Sequence, residues 1–325
     1  MTTTEQQPAL IGGTTTPWWT GTKPALFENI EIGEQFGPFE ITVDDRLVKN
    51  YVFAQDDPAA GALTHDGAPA AHPALLCNEL LFLFYANFDG NTAEGLHTHE
   101  NISFHSPIRI GEKVTIGGRY VETYERRGQG YVVMEAEAHG EDGRPLVTRR
   151  GTEIMHTRAA DVVGGSRAPA PARAVTGEAL DVTPAERASF DLAERTPLAP
   201  AATRISQEQM YVFSWGGRGF SNIHTDAAGA KKVGMDRTVA QAMQQVGYLS
   251  RMCTAFHGPS FVTGGHLSVK FVNPFYVDDL VTARGAVLGT VDHDGARHLE
   301  SEVWVENEAG RKTAVGWAHA PVAEG

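Results

Sequence analysis

The chain repeats itself, and the repeat limits what it can fold into. ISFHSPIRIGEKVTIGGR, from Ile102, and VKFVNPFYVDDLVTARGA, from Val269, share one order: an alternating strand, a proline, a short apolar turn, an acidic corner and a second strand. Pro107 aligns with Pro274 (274 − 107 = 167), and Val114 with Val281 and Gly143 with Gly310 keep that separation. Three landmarks in one register mark an internal duplication, so the fold must be built from two similar units. Each unit also places a long apolar segment before its strands: AHPALLCNELLFLFYANF from Ala71 and AQAMQQVGYLSRMCTAF from Ala240. The first is apolar on nearly every face, which predicts a helix buried all round. An antiparallel sheet wrapped around one central helix satisfies this order. The result is an α+β fold whose two units can pair edge to edge.

The repeat divides the chain. Residues 1–25, rich in Thr, Gly and Pro and carrying a Trp18-Trp19 pair, read as a flexible N-terminal arm. Residues 26–157 form the first unit and 204–325 the second. Residues 158–203 are Ala- and Pro-rich and read as a linker with room for the first strand of the second unit. The net charge is −13 and the pI near 5.4, which argues against nucleic acid as a partner, since that needs Lys and Arg to replace phosphate counterions. Cys77 and Cys253 lack CxxC spacing and read as free core thiols. No apolar run approaches the ~20 residues of a membrane span. MTTTEQQPAL lacks the basic and apolar regions of a secretory leader, so a cytoplasmic location is expected.

In both units the segment ahead of the apolar helix carries the chemistry. The second unit has NIHTDAAGAKKVG, then VAQAMQQVGYLSRM and GGHLSVKFVNPFYVDD; the first has YVFAQDDP, AHPALL and ISFHSPIRIGEK. These stretches resemble the MaoC-like family of double hot-dog proteins, over roughly residues 27–157 and 204–322. The resemblance implies a tandem hot-dog fold and an R-specific enoyl-CoA hydratase or 3-hydroxyacyl-thioester dehydratase. It also implies a motif like Y-A-x-x-S-G-D-x-N-P-x-H-x-D with a catalytic Asp and His. In the second unit Phe213 takes the aromatic place and His224 the histidine. Gly219 stands where the Asp belongs, Ser221 and Asn222 replace Asn and Pro, and Asp226 matches the trailing acid. In the first unit Tyr51 puts Asp57 on the catalytic Asp, but the histidine position holds Ala62, and His65 lies three residues further on.

Reversible hydration of a 2-enoyl thioester needs proton transfer at both alkene carbons and donors at the thioester oxygen. An Asp and a His on one side share the proton work, and the N-terminus of the buried helix supplies donors. On this reading the better site lies in the first unit, with Asp57 as base and His65 as partner, and His224 marks a second, degenerate site. His72 and Gln241 stand at the two helix starts. Together with Ser221, Asn222, Asp226 and Lys270 they are the candidate substrate contacts, Lys270 for a CoA phosphate. Asp226 also reads as the N-cap of AAGAKKVG. His97 and His99 alternate as strand residues without a third ligand at zinc spacing, so no metal and no other cofactor is expected. The substrate is an acyl-CoA or acyl-carrier-protein thioester, and the chain serves alone as a pseudo-dimer or pairs again as a homodimer. Three rivals stay open: a thioesterase using Asp57, an intramolecular oxa-Michael cyclase on the same scaffold, and a non-catalytic acyl-thioester-binding protein.

Overall fold

The computed structural model describes residues 17–93, 95–155 and 174–323. Ten strands form one sheet: β1 (Gln35–Thr42), β2 (Leu96–Phe104), β3 (Lys113–Arg126), β4 (Gln129–Gly140), β5 (Pro145–Met155), β6 (Ala201–Arg204), β7 (His266–Phe271), β8 (Leu280–His293), β9 (Ala296–Asn307) and β10 (Lys312–Pro321). Their spatial order is β6-β8-β9-β10-β7-β2-β5-β4-β3-β1. The duplication reappears in the pairing. Ile102 faces Arg149 in the first unit, and Val269 faces Gly316 in the second, both members displaced by the same 167 residues (269 − 102 = 316 − 149 = 167).

The two units meet edge to edge through β2 and β7, as the repeat predicts. Asn101 lies opposite Ser268, its own repeat equivalent, while Ile102 faces Leu267 and Glu100 faces Val269. Such a self-complementary contact places a pseudo-twofold axis between Asn101 and Ser268. Along β7 the buried Leu267 and Val269 alternate with His266, Ser268 and Lys270 on the opposite face.

The helices cover the inner face. They are α1 (Asp45–Gln55), α2 (Leu75–Leu81), α3 (Gln207–Phe213), α4 (Ala227–Lys232), α5 (Ala242–His257) and α6 (Pro259–Gly264). Every residue of α2 is buried, as its all-round apolarity predicts. It is shorter than expected, because Ala70 and Ala71 are drawn into pairing with Arg109 and Ile108, and Phe82–Ala86 tightens into a 3-10 turn. The small helices lean across the seam. Gln244 and Arg251 of α5 donate to Ala54 and Asp56 carbonyls, and Asn78 of α2 donates to the Phe213 carbonyl at 2.8 Å. Gly247 lets the Gln55 amide pack against α5 at this crossing, since a Cβ there would come within 2.4 Å of that side chain and displace it.

Residues 17–25 are not a free arm. Trp18 is 7% exposed and stacks on Phe39 at 5.1 Å, and Lys23–Pro24 pairs with Phe88–Asp89. Large aromatic surface is more stable buried than wet, and that docks the segment. In the expected linker, residues 158–173 lie outside the described residues. From 174 the chain packs along the second unit, where Thr176 and Gly177 N–H groups donate to Glu302. Among the described residues, no helix is long and apolar enough to cross a membrane.

Candidate active site

Hydrogen bonds align the two units through the segment ahead of each central helix. The Val43 N–H donates to the Glu112 carbonyl, and the Ile205 N–H to the Asp279 carbonyl. Asp44 and Ser206, the N-caps that follow, are therefore equivalent, and Asp57 and Gly219 stand at one position (57 − 44 = 219 − 206 = 13). Further on, the Ala70 N–H donates to the Leu63 carbonyl and the Val239 N–H to the Ile223 carbonyl. The structural counterpart of His224 is therefore Thr64. Its neighbour His65 sits on the other face of a two-residue strand. The second unit carries α4 between His224 and Val239, where the first unit has only the short turn after His65.

His224 is held from three sides. Gln207 donates to its carbonyl at 3.0 Å, and its own N–H donates to Asn222 Oδ1 at 3.0 Å. Its ring Nδ1 lies 2.6 Å from the Val239 carbonyl oxygen. A carbonyl only accepts, so Nδ1 carries the proton and Nε2 presents a lone pair. Burial pulls the ring down to about 4, opposed by the Val239 bond, so it is a neutral base near pH 7. Val239 leads directly into α5, whose first-turn N–H groups have no acceptor within the helix. Gln241, the N-cap, makes no side-chain cap bond.

The other candidates separate. Both carboxylate oxygens of Asp226 cap α4, accepting from Ala228 and Gly229 N–H groups. Ser221 donates its N–H to Asn91. Lys270 stands opposite His99 on the sheet face turned away from buried Val269, not beside α5. Asp57 is 3% exposed and accepts from the Ala60 N–H at 3.3 Å. Burial raises its carboxyl despite the nearby Arg251 guanidinium. The expected Asp57–His65 dyad is not formed: His65 Nδ1 lies 3.2 Å from Asp66, because two more residues separate Asp57 from Thr64 than separate Gly219 from His224. His72 is buried, and its Nδ1 takes Tyr51 OH at 2.8 Å and the Ala74 N–H at 3.2 Å. Burial pushes its ring down to about 3.

Sequence reasoning missed what supports the His224 loop. Arg218 and Glu79 form a buried pair at 3.4 Å across the seam. The Arg218 guanidinium lies 3.6 Å from the Trp215 ring centre and 4.5 Å from that of Trp19. Trp215 itself sits at φ 59, a costly left-handed conformation for a bulky residue, and this packing holds it there. Arg218, Glu79 and Trp215 border a small cavity of about 40 Å³ between α1, α2 and α3, with Leu47, Tyr51, Leu75 and Phe213 on its walls. The one signal in the sequence was the Trp18-Trp19 pair. Trp19→Ala is expected to cost about 1–2 kcal/mol. A lower denaturant midpoint and faster amide exchange over residues 214–220 would report it.

The dehydratase domain is recognisable in each unit by family comparison. A model of the MaoC-like domain matches residues 189–309, and a model of the FAS1-like dehydratase domain region matches residues 31–149. The second unit is a MaoC-like domain and the first a FAS1-like dehydratase domain region, so both are dehydratase-type units on a double hot-dog fold. Solved structures agree on the fold of this MaoC-like protein. A protein described as a MaoC-like dehydratase is 18% identical, with a TM-score of 0.65 over 90% of this chain and 98% of that one. A Mycobacterium tuberculosis protein described as having a double hotdog fold is 14% identical, with a TM-score of 0.62 over 91% and 97%. The peroxisomal multifunctional enzyme type 2 of Drosophila melanogaster is 16% identical, with a TM-score of 0.58 over 88% of this chain and 47% of that one. No curated protein matches the sequence. At the level of the family models, both units are of the dehydratase type.

Proposed function

We propose that this MaoC-like protein adds water to, or removes it from, the 2,3-bond of an acyl thioester in the second unit, with His224 as the single acid–base group. The observation that carries the reading is the Nδ1–H to Val239 carbonyl bond, which leaves Nε2 as a base beside the start of α5. In the dehydration direction, Nε2 takes the α-proton of a 3-hydroxyacyl thioester. The first-turn N–H groups of α5 accept the enolate charge on the thioester oxygen. The imidazolium then returns the proton to the departing hydroxyl, giving alkene and water; hydration is the reverse. One base serves both steps when proton and hydroxyl share a face.

The test is ultraviolet loss of the alkene from trans-2-enoyl thioesters, short to bulky, offered on CoA and on acyl carrier protein, with a thiol reagent alongside. Alkene loss supports the reading, thiol release moves it to a thioesterase, and no reaction with any ester moves it to a binding protein. Gly219→Asp sharpens the test. A Cβ at Gly219 meets no described atom within 4 Å, so a carboxylate fits where the family motif holds one. Its φ of 92 adds strain of roughly 1–2 kcal/mol. A nearby carboxylate raises an imidazole's basicity, so kcat is expected to rise about 10-fold or more. No gain in a folded Gly219→Asp variant would count against a site centred on His224.

A further inference from the structure

One closed circuit of contacts clamps His224 at its backbone and at its ring. Gln207 Nε2 donates to the His224 carbonyl at 3.0 Å. The same amide's Oε1 accepts from Thr238 Oγ1 at 2.5 Å. Thr238 is joined by one peptide bond to Val239, whose carbonyl accepts the ring Nδ1–H at 2.6 Å. We infer that Gln207, oriented by Thr238, is a positioning residue that holds the His224 imidazole with its proton on Nδ1 and Nε2 free to act. This role rests on His224 being the acid–base group.

Each link runs in one direction. A carbonyl only accepts, so the Gln207 amide turns its NH₂ toward His224 and its Oε1 toward Thr238. Oε1 only accepts as well, so the Thr238 hydroxyl donates, and this favours the required amide orientation over the flipped one. Both ends of the clamp are anchored. Thr238 is 2% exposed, its carbonyl accepts the Val277 N–H at 3.1 Å, and the Ala240 N–H donates to the Phe275 carbonyl at 2.9 Å. Gln207 is the first residue of α3, whose start is fixed by the Ser206–Gln209 capping box.

The duplication supplies an internal comparison. Asp45 and Gln207 each directly follow the equivalent N-caps Asp44 and Ser206. Pro69 and Thr238 each directly precede the equivalent Ala70 and Val239. Asp45 is 80% exposed and lies 3.8 Å from Lys49. An ionised carboxylate cannot donate to a carbonyl, and proline has no hydroxyl, so the first unit cannot build the clamp. It also has Thr64 in the place of His224. Clamp and base occur together in one unit, while the other unit takes the same fold without either. That is the pattern expected of side chains that serve the histidine and not the fold.

Which ring nitrogen carries the proton is set by the hydrogen bond that the ring makes. Released from the Val239 carbonyl, an imidazole favours the opposite tautomer, with the proton on Nε2. A reacting group displaced by about 1 Å can lose on the order of 10²-fold in rate.

The experiment reads the tautomer directly. Full-length chain labelled with ¹⁵N is studied at pH 7 by long-range ¹H–¹⁵N correlation of its histidine rings, and His224 is the ring whose signals vanish in His224→Ala. The wild type is expected to carry the proton on Nδ1. In Gln207→Ala and Gln207→Glu the signals should move toward the Nε2–H form, since a glutamate of equal size cannot hold the carbonyl. Thr238→Val should move them less, and Thr238→Ser, which keeps the hydroxyl, should restore them. On an enoyl thioester, kcat should fall about 10–100-fold in both Gln207 variants and about 3–10-fold in Thr238→Val, with KM within about twofold. Gln207 is half-buried at a helix start, so its variants should fold. A His224 ring that keeps its wild-type tautomer in both Gln207 variants overturns the inference, whatever happens to kcat. So does an unchanged kcat in those variants of an active chain. If the wild type turns over no thioester, the acid–base role of His224 fails instead, and the ring signals still decide whether Gln207 sets the tautomer.

Discussion

His224→Ala is expected to lower turnover of the preferred enoyl thioester by about 10²–10⁴-fold, the usual worth of a general acid–base group. KM should move much less, because the α5 N-terminus remains. Fold should be kept, since the ring's one hydrogen bond goes to a backbone carbonyl. The acid limb of the wild-type pH profile is a second readout. His224 is held at about 4 chiefly by burial, so the neutral base persists well below the ordinary histidine range, and activity falls only as pH drops toward 4. Asp57→Asn is expected to leave turnover within a factor of about two, for Asp57 lies in the other unit and its carboxylate is spent on the Ala60 N–H. A fall in the Asp57 variant with His224→Ala unaffected would move the site to the first unit.

The architecture was legible because duplication and alternation are local signals. The 167-residue register between Pro107 and Pro274 survives as identical strand pairing, and the apolar segment at Ala71 becomes a fully buried helix. The site was legible only in part. His224 could be named from its motif, but the bond that fixes its tautomer comes from the Val239 backbone, which no side-chain pattern announces. His65 looked like a partner of Asp57 because the path of the loop after Asp57, and so which residue faces it, is not written in the residue identities. The hydrogen bond from Ala70 to Leu63 shows that Thr64 holds the equivalent place. Arg218 and Glu79 lie in different units, so their pairing needed the fold.

Arg149→Met is expected to destabilise the chain by about 3–5 kcal/mol. Arg149 and Glu100 have fully buried side chains and form a two-point ion pair inside the first unit, where Arg149 also donates to the Leu80 carbonyl at 3.3 Å. Burial alone would raise the Glu100 carboxyl, but Arg149 and His97 hold it at about 2. Removing the arginine strands that charge, and His97, with Nε2 2.6 Å away, is its remaining partner. The second unit shows that the fold does not require the pair. At the repeat positions it has Leu267 and Gly316, with Leu267 fully buried. The double variant Glu100→Leu/Arg149→Met is therefore expected to recover most of the lost stability, so that urea midpoints reveal a coupling of several kcal/mol. Acid titration adds a sign check. A carboxyl depressed to about 2 contributes fully above its unfolded value of about 4.3 and loses that contribution as pH falls toward 2. The double variant should lack that acid limb. If its midpoint stays as low as that of Arg149→Met, then the arginine acts through packing around Leu80 and not through its charge.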